Sequence, residues 1–185
     1  MAQNLQDIYE VKQYIDTFAL GHYARVMGAT DLRRNELVAF KVMRPEHLMA
    51  DGDMRWEYRA FGNEAQILDK LKPSPQIVKL LDCGFVSTIA EAAVDGKIDT
   101  FETDVDYFVS ALPQYAQRGW RPYLTLEYLP RMENMFYLMK PTQPGMRRRL
   151  PSEEGITLAL QFANLLALSH QLNVVYLDHK LAHVY

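Results

Sequence analysis

Cysteine is nearly missing from this chain. Cys83 stands alone in 185 residues, so no disulfide can form within the chain, and a reducing, cytoplasmic setting is expected. Charge of one sign is not in excess either: 20 Lys and Arg face 23 Asp and Glu, which leaves no broad basic field for nucleic acid. The local run Arg147-Arg148-Arg149 reads as a solvated loop. The first residues, with Gln3, Asn4, Gln6 and Asp7, do not form a basic region followed by an apolar core, so no secretion signal is expected. No apolar run is long enough to cross a bilayer. The longest, Ile156 to Leu168, contains Gln161 and Asn164 and reads as a buried core helix. Internal repeats and low-complexity segments are also absent. What is present is 49% hydrophobic, at a length that suits one domain or one domain plus part of a second.

Periodicity gives an α+β reading. Ile15–Leu20, Arg25–Thr30 and Leu37–Met43 read as strands, with the polar stretch 31–36 as the turn between the second and third and Arg44-Pro45 as a break. Residues 53–72 read as a helix, because Met54, Tyr58, Phe61, Ala65, Leu68 and Leu71 recur at spacings of three and four. Ile77–Leu81, closed by Asp82-Cys83-Gly84, reads as a fourth strand and Tyr123–Leu129 as a fifth. The stretch between them, about 86–121, reads as an insertion holding a hairpin near 86–98 and a short helix over 105–117. Met135–Met139 suggests a short helix. Ser152 suggests an N-cap, with Glu153 and Glu154 in the favourable first turn of the helix through His170.

One residue breaks its pattern. Leu37-Val38-Ala39-Phe40-Lys41-Val42-Met43 is apolar but for Lys41, and an ammonium in such a strand is costly to desolvate without a partner. Glu64 supplies one. It flanks the apolar helix stripe, three residues after Phe61 and four before Leu68, so its carboxylate should point towards whatever the helix packs on.

These residues, in this order, resemble the amino-terminal half of a eukaryotic-like Ser/Thr protein kinase domain of the kind also found in bacteria. Val38-Ala39-Phe40-Lys41 resembles the Val-Ala-Ile-Lys of the third kinase strand, and Glu64-Ala65-x-x-Leu68 the helix whose glutamate pairs with that lysine. Leu124-Thr125-Leu126-Glu127-Tyr128-Leu129 resembles the strand entering the hinge. Tyr176-Leu177-Asp178-His179-Lys180-Leu181-Ala182-His183 resembles the catalytic loop. The resemblance implies that Lys41, held by Glu64, binds ATP phosphates. Asp178 would accept the substrate hydroxyl proton and Lys180 would neutralise the transferred phosphate. Gly21, Tyr23, Val26, Ala39, Leu126, Glu127 and Leu129 would line the nucleotide site, with Tyr23 capping the phosphates and the backbone of Glu127 and Leu129 bonding adenine.

Four positions in particular depart from the family pattern. Ala19 and Ala24 replace the outer glycines of the phosphate loop, which stiffens it. Leu177 replaces an arginine, so no activation-loop phosphate can be clamped there. His183 stands where the family has a metal-binding asparagine, and imidazole is a poor ligand for magnesium. His183 is therefore a weak metal candidate, and the main magnesium ligand is expected beyond Tyr185.

The expected fold is a kinase-like small lobe over 1–129, a five-stranded antiparallel sheet with one main helix and the insertion at 86–121. The hinge and first helices of a truncated large lobe would follow over 130–185. The expected function is ATP-dependent phosphoryl transfer to a protein Ser/Thr hydroxyl, with the chain a fragment that is inactive alone and self-associates through the apolar helix near 156–168. A nucleotide-binding regulatory pseudokinase and a small-molecule kinase of the aminoglycoside or choline type are the alternatives.

Overall fold

The computed structural model describes residues 2–14, 23–48, 54–90, 93, 95–140, 149–175 and 183–185. The expected five-stranded sheet with one main helix is not what forms. A single antiparallel sheet has seven strands: β1 (Gln3–Asn4), β2 (Tyr9–Tyr14), β3 (Ala24–Asp31), β4 (Glu36–Met43), β5 (Leu80–Val86), β6 (Lys97–Thr100) and β7 (Arg121–Glu127). Among the described residues there are four α-helices: α1 (Trp56–Leu71), α2 (Val105–Gln117), α3 (Met135–Leu138) and α4 (Ser152–Gln171). The class is α+β, but the architecture is a half-barrel. Three of the strands were not expected: β2 precedes the expected Ile15–Leu20, and β1 and β6 are additions. β6 comes from the inserted stretch and pairs with β5, while β1 pairs with β6 at the outer edge.

The strand order is β1-β6-β5-β7-β4-β3-β2, so the first two strands of the chain lie at opposite edges. Only a 3-10 turn, Leu5–Asp7, and Ile8 separate them. A sheet can be spanned by so short a link only if it curls. Leu5 donates its N–H to Gly96 on one side (2.9 Å) and Leu32 donates to Ile8 on the other (2.9 Å), which ties the strap to both margins. Leu5, Ile8, Tyr9, Met27, Phe40, Val42, Ile98 and Tyr123 fill the concave side.

The convex side carries α1 and α2. Tyr58, Phe61, Gly62, Ala65 and Leu71 of α1 are buried, as the three-and-four spacing predicts. They meet Phe85, Leu124 and, from α2, Phe108, Leu112, Tyr115 and Ala116. Each fully buried side chain of this size contributes about 1.5–3 kcal/mol of transfer free energy, so α2 belongs to the core. Asp104 caps α2 by accepting from the Tyr107 N–H at 3.0 Å.

The chain divides into two compact units, Met1–Lys72 with Val78–Tyr128, and Pro73–Ile77 with Leu129–Tyr185. The second holds α3 and α4. Ser152 opens α4 as its first residue, with Pro151 in the cap position and Glu153 and Glu154 in the first turn. Only Ser169 of this helix is buried; Ile156 and Leu160 are exposed, as the expected exposed apolar helix requires and the reading of a buried core helix does not. Among the described residues no helix is long and apolar enough to cross a membrane.

Candidate functional site

Lys41 lies in β4, a central strand whose neighbours are β3 and β7. Val26 and Leu124 are its cross-strand partners, and Ala39 pairs with Gly28 and Leu126. Cross-strand partners share a face, and so do residues two apart. Val26, Ala39, Lys41, Leu124 and Leu126 therefore stand together on the convex side, beneath α1. The platform beside the lysine is small and aliphatic: Ala39 is buried, while Val26 and Leu126 are half-buried.

From α1, Glu64 meets the lysine with both oxygens. Lys41 Nζ donates to Oε1 at 2.8 Å and to Oε2 at 2.5 Å. The side chains keep 15% and 26% of their exposure, so the pair is sheltered but reachable from solvent. Burial alone would lower the Lys41 pKa. The Glu64 carboxylate outweighs it and holds the pKa above the ordinary lysine value, so the ammonium stays charged. Aromatic rings complete the wall. The Tyr23 and Phe61 rings lie 5.3 and 5.8 Å from Lys41 Nζ, in cation–π range. The Tyr23 hydroxyl donates to Glu64 Oε2 at 3.4 Å, and its ring meets Trp56 edge-on.

The ion pair expected from Lys41 and Glu64 is thus formed. Tyr23 was expected as a cap over phosphates. Its ring is packed among Trp56, Phe61 and the lysine, an arrangement helped by the burial of Ala24 next to it. The Glu127 N–H is committed to the Lys79 carbonyl at 2.9 Å, so that N–H is not a donor to adenine. Gly21, Asp178 and Lys180 lie outside the described residues, as does the expected first strand, Ile15–Leu20. Leu129 belongs to the second compact unit. Among the described residues no group of three or more His, Cys, Asp or Glu side chains is placed to hold a metal, and His183 is part of no such group.

A second polar constellation, on the concave side, has no counterpart in the sequence reading. Asp82 is fully buried; its Oδ2 accepts from Tyr9 (2.6 Å), Arg33 (2.8 Å) and Tyr123 (3.3 Å). Arg33 also grips Asp31, Nε to Oδ1 at 3.0 Å and Nη2 to Oδ2 at 2.8 Å. Burial raises the Asp82 pKa against the pull of Tyr9 and Arg33. For Asp31, burial acts the same way, but the Arg33 hydrogen bonds prevail and lower the pKa. Asp31 and Arg33 had read as a polar turn and Asp82 as the end of a strand. The only sequence signal was Tyr9, an aromatic at the start of an alternating Tyr-x-Val run.

No protein-family model matches this sequence, and no curated protein matches it.

Proposed function

We propose that the Lys41–Glu64 pair holds the phosphates of ATP, and that the protein serves phosphoryl transfer to a protein Ser/Thr hydroxyl. The observation that carries the reading is the pair itself. A charged lysine on a rigid central strand is fixed by both oxygens of one helix carboxylate, beside an aliphatic platform and open to solvent on one side. An ammonium so oriented is a point charge preorganised for anionic oxygens. Val26, Ala39 and Leu126 offer the apolar surface that a base ring needs.

The transfer half of the proposal rests on Asp178 and Lys180, through their resemblance to a kinase catalytic loop. The Asp178 carboxylate would accept the hydroxyl proton as that oxygen attacks the γ-phosphorus, and the bond to the β–γ bridging oxygen would break to release ADP. Lys180 would balance the charge on the moving phosphoryl group.

Titration with ATP and with adenosine tests the binding half. The wild-type chain should bind ATP more tightly than adenosine, and Lys41→Ala should remove that difference while leaving adenosine binding in place. Absence of binding by either ligand would end the proposal. In a longer form of the protein that carries the expected magnesium ligand, ATP binding without phosphorylation of a generic basic Ser/Thr peptide would favour the regulatory alternative, which Ala19, Ala24 and His183 already suggest.

A further inference from the structure

The stretch 86–121 joins β5 to β7 and contributes α2, whose role follows from where it touches α1. At Gly62 the α2 side chains lie against the backbone of α1. A Cβ built there would lie 2.8 Å from Leu112 Cδ1 and 3.5 Å from Val109 Cγ2, both on α2. One turn earlier on the same stripe, Tyr58 is buried and donates its hydroxyl to the carbonyl of Trp120, just past α2, at 2.9 Å. Glu64 follows Gly62 by two residues. Successive residues turn about 100° around a helix, so Glu64 projects from the side of α1 roughly opposite Gly62. The helix is therefore held between two contacts. On one side α2 sits against bare backbone, and on the other the Glu64 carboxylate reaches Lys41 at 2.5–2.8 Å. Bulk at position 62 would drive α1 away from α2 and towards Lys41, carrying the carboxylate out of the alignment in which both oxygens meet Nζ, and a hydrogen bond weakens steeply as its angle is lost.

We propose that Gly62 and α2 position Glu64: the absent side chain at 62 sets the depth at which α1 docks, and so whether Glu64 engages Lys41. The inference rests on the reading of this pair as the phosphate-binding element, but it concerns how the pair is made. In this view the segment between β5 and β7 is a built-in buttress for α1, and Gly62 is a positioning residue.

The test reads the pair directly, without nucleotide. Acylation of Lys41 by an amine-reactive acetyl ester is followed residue by residue with mass spectrometry on the full chain, with Lys79 and Lys97 as internal references. Gly62→Leu should raise the relative rate at Lys41 several-fold, towards the rate seen in Glu64→Gln. Adding Leu112→Ala, which opens the facing space, should bring the rate back towards wild type. Labelling of Lys79 and Lys97 should stay unchanged throughout, which a general loss of stability would not allow. Should Gly62→Leu fail to fold, Gly62→Ala serves, because the nearest obstacle is the movable end of a leucine; it should give a smaller rise in the same direction. A folded Gly62→Leu or Gly62→Ala with Lys41 labelling unchanged overturns the proposal. ATP and adenosine titrations run alongside. Labelling that responds in a protein that binds neither ligand supports the buttress and removes the nucleotide reading. ATP binding that persists with unresponsive labelling removes the buttress and keeps the nucleotide reading.

Discussion

Among the described residues, Lys41 on the convex face and Arg33 on the concave face are both ion-paired, and the two are built for different ends. On the convex face Lys41 has one carboxylate partner, on a separate helix, and both side chains keep some exposure. On the concave face Arg33 serves two carboxylates, Asp31 and Asp82, whose side chains are 1% and 0% exposed. A buried pair gains little net stability from being formed but costs a great deal when one partner is removed. A sheltered but solvent-accessible pair is worth less either way, and it can exchange a partner for a ligand. The Arg33 cluster links the β3–β4 turn, the start of β2 and the middle of β5, and so clasps the strap across the open side of the sheet. The Lys41 pair joins β4 to α1 alone, and neither of its partners is fully buried.

The most direct way to break this contrast is Arg33→Ala. The substitution leaves two buried carboxylates without their cation, and a loss of about 3–5 kcal/mol in unfolding free energy is expected at neutral pH. Urea denaturation at pH 7 checks it. The loss should shrink as pH falls through the carboxylate range, where protonation of Asp31 and Asp82 removes the uncompensated charge. A loss below about 1 kcal/mol would mean that the concave cluster is no more committed to the fold than an exposed pair.

Alkali should strike both faces. Tyr9 and Tyr123 on the concave side and Tyr58 on the convex side have phenol pKa values raised by burial, Tyr58 to about 12. The Lys41 pKa is raised as well. Each group holds its proton more tightly folded than unfolded. Above the ordinary tyrosine value of 10.0 the unfolded chain sheds protons that the folded chain retains. Stability must then fall as pH rises from that point through about 12, and below it these groups contribute no slope. Thermal melts across pH 8 to 12 should show a gentle decline from about pH 9, where the buried Cys83 thiol, raised by burial from 9.0, adds its share, and a steep one above 10. A decline that began near pH 8 would contradict the assignment.

The two faces also differ in how far they could be read from sequence. Lys41 and Glu64 were visible because each violates a local pattern, a charge in an apolar strand and a carboxylate on the flank of an apolar helix stripe. Both are short-range signals. Asp82, Arg33 and Tyr9 are far apart in the chain, and each is ordinary where it stands. Asp82-Cys83-Gly84 carries turn chemistry, which is why the fourth strand was ended there. In the fold these residues are mid-strand in β5, and Gly84 is required by close approach: a Cβ would come within 2.0 Å of the Asp99 carbonyl of β6. No pattern in β5 could announce that, because β6 lies in the stretch whose structure was least legible. β1 is two residues long and has no periodicity to detect. The count of strands was missed for that reason, while α1 and α2, with their apolar stripes, were found near their true limits.

On the convex face, Lys41→Ala sharpens the comparison. Glu64 loses its partner but can turn towards water, so the stability loss should be about 1 kcal/mol or less, well under that of Arg33→Ala. Its effect on ATP should be disproportionate: at least about tenfold weaker binding, equivalent to 1.4 kcal/mol, with adenosine unaffected. Isothermal titration of both ligands, with urea denaturation of the same samples, separates the two quantities. A variant that lost several kcal/mol of stability would show that Lys41 is a structural clasp like Arg33.

The smallest effect is expected at Tyr23, and it separates what the ring does from what the hydroxyl does. Tyr23→Phe removes a 3.4 Å hydrogen bond to Glu64 but keeps the ring beside Lys41, Trp56 and Phe61. A bond of that length to an oxygen already held by an ammonium contributes little, so the change in stability should stay within about 0.5 kcal/mol. Tyr23→Ala removes the ring as well, with its cation–π and edge-on contacts, and should cost about 1–2 kcal/mol more. If the ring also shields the Lys41–Glu64 pair from water, salt should weaken the pair in Tyr23→Ala more than in Tyr23→Phe, since exposed charges are screened and sheltered ones are not. Site-resolved acylation of Lys41 at low and high salt reads this. Equal salt sensitivity in the two variants would show that the pair is sheltered by α1 alone, and that the aromatic wall adds packing but no electrostatic protection.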